Sequence, residues 1–428
     1  MPSLLAPPRP TPLTLALLLY GCGPDEARTT ARDADVEVDV ADGSAGDVDG
    51  VDDPTLAPIA DFGWDGGDCP DGTTPIEGAD DPRAKWCEKS GKIKHGPFGR
   101  WHLGGGTKAE GGDFADGAPT GTWRTWYPAG SMASEGARDA AGRTGSWTFW
   151  RGDRTRERVG GFSADLESGP WTSYWPDGAT RSEGAYRDGL EDGTWHTFHP
   201  DGGPDETITY TAGARDGAYA RAYPSGGRAE AGAYADDVKT GEWTTWYDNG
   251  AIASRGPYEA GLASGRWHFW QRDGGDGSEG LFVDGVQQGT WTLWQWQQGE
   301  RIKSTGEVVD GLPDGAWSAT HDPGGEDAGH LTYFRGSREG PAVTLWKSGH
   351  TLSEGRSLSN RPDGPWRFYY SDGTLFIACS FALGVLDGPY EEHYPDGAEK
   401  VVAVYLDGLP EPGATCWNEA GDIVECAL

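Results

Sequence analysis

A glycine recurs along this chain at a nearly constant period. Taking the Gly of a Gly-x-aromatic step as anchor, the anchors are Gly96, Gly121, Gly145, Gly169, Gly193, Gly217, Gly241, Gly265, Gly289, Gly315, Gly340, Gly364 and Gly388. Nine of the twelve intervals are 24 residues, and the others are 25, 26 and 25. A fixed period of this length makes each unit one supersecondary element that buries its apolar side against its neighbours, so the chain is a repeat array before it is anything else. Two residues after the anchor every unit carries Trp, Tyr or Phe except at Ala342. Nine units are aromatic again five after it, and eleven of thirteen have Gly nine after it, as in Tyr127-Pro128-Ala129-Gly130 and Tyr247-Asp248-Asn249-Gly250.

The run from anchor to second aromatic favours a strand, and Pro-Asp-Gly or Asp-Asn-Gly then supplies the backbone angles of a turn. A second short strand such as Ser182-Glu183-Gly184-Ala185-Tyr186 follows, and an Asp188-Gly189 turn leads to the next anchor. The expected fold is therefore all-β: an elongated single-layer antiparallel meander of tandem 24-residue hairpins. Alternation along Trp243-Thr244-Thr245-Trp246-Tyr247 puts Trp243 and Trp246 on opposite faces, so both faces are expected to carry aromatic ladders. Sixty-nine Gly and 21 Trp beside two Met argue against amphipathic helices. A formal charge of −33 disfavours nucleic acid, whose binding rests on Lys and Arg.

The unit Gly-x-Trp-x-x-Trp-Tyr-x-x-Gly, continued by Glu-Gly-x-Tyr, resembles the MORN repeat in its bacterial variant, the form found in YwqK-type antitoxins. The resemblance covers roughly residues 94 to 410. It implies open, trough-shaped sheets that act as scaffolds and as membrane-associated or protein-binding surfaces.

The first 21 residues, with Arg9 and the apolar run Leu13–Leu19, read as a signal peptide. Its end, Leu19-Tyr20-Gly21-Cys22, resembles a lipobox whose Cys22 is acylated, which implies a cell-envelope lipoprotein, with the outer membrane favoured by Gly23. Residues 23 to 60 hold eleven acidic side chains and no aromatic, the composition of a flexible tether. The expected organisation is a signal peptide over 1–21, a lipidated Cys and tether over 22–60, an N-cap over 61–95, about thirteen repeats over 96–410 and a C-cap over 411–428.

The cysteines cluster where an array needs capping. Cys69 and Cys87 precede the first anchor and Cys416 and Cys426 follow the last, so Cys69–Cys87 and Cys416–Cys426 disulfides are expected, although four cysteines allow three connectivities. Cys379 stands where other units place the Gly of Glu-Gly and is expected as a buried free thiol.

No catalytic arrangement emerges. The Ser-Glu-Gly triplets at 134, 182, 278 and 353 recur at one register, whereas an active site occurs once. His196 and His199 alternate across a strand and face opposite sides, and the turn aspartates follow from turn chemistry, so no catalytic residue, metal site or cofactor is expected. The chain is read as a non-enzymatic surface lipoprotein that scaffolds or binds a protein or peptide. Carbohydrate or cell-wall binding through the aromatic ladders is the alternative, and an antitoxin or immunity role a further one. Candidate binding aromatics are Trp126, Trp150, Trp246, Trp270, Trp294 and Trp346. Departures from register concentrate between residues 289 and 380, where a specific site is expected.

Overall fold

The computed structural model describes residues 69–78, 81–103, 106–297 and 299–427. The expected signal peptide, Cys22, the expected tether and the first part of the expected N-cap lie outside the described residues. The described residues are all-β, with strands and turns and no helix. They form two compact units that meet in sequence between Val238 and Lys239, each described by itself below.

Within the first unit the strands Ala118–Trp126, Met132–Asp139, Gly142–Trp150 and Arg156–Ser163 pair antiparallel, each with the next. Within the second, Gly265–Trp270, Asp276–Val283, Val286–Gln297 and Glu300–Val309 do the same. This is the meander of hairpins that the period predicts.

Both expected turns form. In the longer one Tyr127 N donates to Ser131 O at 2.9 Å and Gly130 N to Tyr127 O at 2.8 Å. The turn aspartates accept from the backbone two residues on, as in Ala179 N to Asp177 Oδ1 at 2.9 Å and Thr374 N to Asp372 Oδ1 at 2.9 Å. In the shorter turn Asp188 and Gly189 take φ of 52° and 81°, the mirror-image turn whose twist suits a hairpin.

The anchor glycines have their own reason. Pairing between Met132–Asp139 and Gly142–Trp150 jumps from Gly136↔Trp147 to Ala137↔Thr144, which bulges Gly145 and Ser146 out of that ladder. Gly145 supplies the φ of +66° that the bulge requires.

Two features modulate the second unit. Val286–Gln297, Glu300–Val309 and Leu312–Asp322 run for 12, 10 and 11 residues, and this lengthening absorbs the widened anchor intervals. The predicted disulfides also exist: Cys69–Cys87 in the first unit and Cys416–Cys426 in the second, with Cα atoms 5.6 and 5.3 Å apart. Beside the first of them Pro70 covers the first anchor, where a Cβ on Gly96 would fall 2.7 Å from its ring.

Candidate functional site

The two faces of the sheet do different work. On one, the Trp two after each anchor lies across the Gly of the preceding second strand. A Cβ on Gly136, Gly256, Gly280 or Gly306 would fall 2.2 to 2.3 Å from the indole of Trp147, Trp267, Trp291 or Trp317. The indole N–H groups are satisfied, as in Trp147 Nε1 to Ala137 O at 2.9 Å and Trp267 Nε1 to Pro257 O at 3.0 Å. These four rings are at most 1% exposed. This ladder is core and offers nothing to a ligand.

Exceptions in this column obey volume. Where Gly gives way to Ile208, Leu331 or Cys379, the partner opposite shrinks to Tyr219, Ala342 or Tyr390. Ala342, expected as a functional departure, is thus the packing complement of Leu331. The expectation of a free thiol at Cys379 is corrected: this cysteine is disulfide-bonded and 4% exposed, so its sulfur is not available as a nucleophile.

The opposite face carries the second ladder. In the first unit Trp126 and Trp150 are half-buried, and Lys108 Nζ sits 5.7 Å from the Trp126 ring and 5.9 Å from that of Trp101. In the second unit Trp246 and Trp270 are half-buried and Trp294 is 8% exposed. His268 stacks on Trp270 with ring centres 4.0 Å apart and planes 9° apart, and Lys303 Nζ lies 5.3 Å from Trp294. Aromatic rings and cationic or imidazole groups therefore interleave.

The Ser-Glu-Gly triplets divide between the faces. Ser134 Oγ shares a 2.6 Å hydrogen bond with Thr125 Oγ1 on the core face, and Ser353 does so with Thr344. The neighbouring glutamates turn to the ladder, where Arg124 Nε donates to Glu135 Oε2 at 2.5 Å and Arg367 lies 3.6 Å from Glu354. Tyr369, on this ladder, donates to Glu354 Oε1 at 2.8 Å, and burial together with that carboxylate pushes its phenol up to about 12. Serine and glutamate are structural partners of other strands, not a nucleophile and its base. His196 and His199 also go separate ways, to Thr207 Oγ1 at 3.1 Å and Ala222 O at 3.4 Å.

Trp346 belongs to neither ladder. It stands six after its anchor, in a column whose side chains each reach a carbonyl of the following repeat. Tyr127 OH donates to Trp150 O, Tyr247 OH to Trp270 O and Tyr370 OH to His393 O, at 2.8 to 2.9 Å. Gln271 Nε2 donates to Trp294 O at 3.3 Å and Trp346 Nε1 to Tyr369 O at 3.1 Å. Tyr, Trp, Gln and His share little except an N–H or O–H at the end of a long side chain, and that common donor is the signal by which the sequence could have shown this staple.

The staple fails at His321. His321 stands six after Gly315, and the corresponding acceptor is the carbonyl of Leu345, yet the imidazole Nε2 has no hydrogen-bond partner. The His321 side chain is 8% exposed, and Glu300 Oε2 lies 2.7 Å from Nδ1 as a charge contact that lacks hydrogen-bond alignment. Neither ring nitrogen of His321 has a hydrogen-bond partner, so the imidazole is a buried polar group whose hydrogen-bonding capacity is unmet. Between this imidazole and Leu345 lies a cavity of about 300 Å³. Ile302, Ala328, Leu345, Trp346 and Leu352 form its apolar wall, with Glu300, His321, Lys347 and Ser348 as polar points. It lies within the second unit, in the stretch where the spacing departs from 24.

The model of the family described as MORN repeat variant matches residues 239–260, one unit of the array. No curated protein matches the chain. Two solved structures are similar at 10% and 11% identity, a complex of TcdB2, TccC3 and Cdc42 and one of TcdB2 and TccC3. They are covered over 18% and 22% of their length, and this chain over 76% and 79%, with TM-scores of 0.13 and 0.11. The chain thus spans about a fifth of the solved chains it matches, and likenesses at this level carry no argument about fold or function.

Proposed function

We propose that this protein is a non-enzymatic binding scaffold that holds a protein or peptide partner along the half-buried aromatic ladder. MORN repeats are often protein-binding, and one such repeat variant occupies residues 239–260. The observation that carries the reading is the division of labour between the faces: one ladder is largely consumed as core, while the other leaves Trp126, Trp150, Trp246 and Trp270 half-buried. The stacking surfaces of that open ladder are partly taken by Lys108, Lys303 and His268. A sugar needs the flat of a ring, whereas a polypeptide can use ring edges together with the adjacent charged groups, so a polypeptide is favoured over a glycan. The excess of 68 acidic over 35 basic residues favours a cationic partner.

The same reading places the chain at the cell envelope, exported by the leader over residues 1–21. Recovery of the chain from the cytoplasm alone in the native host would exclude that location. The binding reading is tested by crosslinking capture in the native host, comparing the intact chain with Trp126→Ala and Trp270→Ala variants. Loss of a polypeptide partner in these folded variants is expected. Capture that ignores both rings, or that recovers only cell-wall glycan, would overturn it.

A further inference from the structure

The ladder explains an extended surface but not the cavity behind it. That cavity is local and walled, and it contains something a packing defect does not: a side chain more than nine-tenths buried whose Nε2 has no partner. Unpartnered buried side-chain nitrogens also occur on Gln287 and His393, but His321 is the one that lines this cavity. Burying an imidazole nitrogen without a partner is costly, and the array's own solution, a staple into the next repeat, is abandoned here. An apolar wall with a few polar points, one of them buried and unpartnered, is the pattern of a side-chain pocket.

The chemistry of the wall narrows the occupant. Lys347 and Glu300 both line the cavity, so neither sign of charge is favoured and the largely apolar wall suits a neutral guest. Ile302, Leu345, Trp346 and Leu352 suit a flat apolar body, and the unpartnered His321 Nε2 requires that this body carry a hydrogen-bonding group. Tyrosine combines the two and is among the residues that dominate binding when seated in an enclosed pocket. We propose that this cavity is a specificity pocket that receives a tyrosine side chain of the polypeptide partner, its phenolic hydroxyl, which can donate or accept, hydrogen-bonded to His321 Nε2. The proposal rests on the protein-binding reading above and adds to it the residue that the partner must present.

The test uses the full chain and blocked amino acids as probes, read by saturation-transfer NMR and calorimetry. N-acetyl-tyrosinamide should bind, and N-acetyl-phenylalaninamide about tenfold more weakly, the effect of one buried hydrogen bond. His321→Leu should erase that preference by weakening the tyrosine probe alone. Ser348→Trp, at an exposed position on the rim, should abolish binding of both and lower the unfolding midpoint no more than Ser348→Ala, which removes the same hydrogen bond from Ser348 Oγ to Ser371 O. Equal affinity for the two probes, or discrimination that survives His321→Leu, would overturn the proposal. Tighter binding of free zwitterionic tyrosine than of the blocked form would also overturn it, by making this a small-molecule site. If the tyrosine probe fails while Trp126→Ala and Trp270→Ala still lose a captured partner, the pocket is refuted and the scaffold reading stands.

Discussion

The glycine beneath each tryptophan is the residue on which the array turns. In Gly256 the absent Cβ is filled by the Trp267 indole, which is 1% exposed and bonded through its N–H to Pro257 O. An alanine there would meet ring atoms at 2.3 Å, with no flexible side-chain end to yield. Gly256→Ala should therefore destabilise by about 1–3 kcal/mol, the usual cost of overpacking a filled core, seen as a lower urea midpoint. The exceptional pair offers the converse test. Ala342→Trp alone should destabilise, because Leu331 already occupies the space opposite, whereas Leu331→Gly with Ala342→Trp recreates the common pair. The double variant should recover at least about 1 kcal/mol relative to the sum of the singles, and strict additivity would refute the complementarity.

At the level of the hairpin, turn and staple are separable. Asp237 holds a left-handed φ of 67° at a position where Asp188-Gly189 style turns use Gly. It is compensated by Arg215, whose Nε donates to Asp237 Oδ1 at 2.8 Å and whose backbone N does so at 3.2 Å. Asp237→Ala keeps the strained backbone and loses the acceptor, so it should cost about 1–3 kcal/mol, while Asp237→Gly should remain within about 0.5 kcal/mol of the parent. The hydrogen bonds from the Arg215 side chain and backbone hold the Asp237 carboxyl below its ordinary 3.8. A depressed folded value means that this contribution is present above pH 3.8 and lost as pH falls through the folded value, so the advantage of the parent over Asp237→Ala should shrink in acid. Staples make the complementary prediction. Tyr247→Phe loses its bond to Trp270 O and should cost about 0.5–1.5 kcal/mol, whereas His321→Phe, which breaks no staple, should cost less in the same unfolding assay. The turns and strands were legible because adjacent residues set them, as Asp188-Gly189 and Pro176-Asp177-Gly178 show. Trp346 was legible as an aromatic but not as a staple, since its acceptor lies 23 residues on and the column varies freely among donors. His321 was hidden for the same reason, because a missing acceptor leaves no mark in sequence.

Across the whole molecule, a repeat array derives its stability from interfaces between neighbours, so its weakest points are its ends. In the second unit the terminal strand Ile423–Val424 has two residues and pairs with Thr415–Trp417, which in turn pairs with Glu399–Leu406. Such a strand contributes little ladder of its own, and the Cys416–Cys426 disulfide, ten residues apart in sequence, is what keeps it over the edge. The cap also completes the staple column, because Tyr394 OH donates to Trp417 O at 2.9 Å. Opening the disulfide should therefore act locally: freeing residues 423–424 exposes the edge at 415–417, which loosens the carbonyl that Tyr394 holds and next the strand at 399–406. Hydrogen exchange on a Cys416→Ser, Cys426→Ser variant should show faster exchange over residues 394–417 and unchanged protection over residues 276–309, where each strand keeps both neighbours. A uniform loss of protection across both stretches would mean that the second unit unfolds as one cooperative body, and nearest-neighbour stability would then be the wrong description of this array.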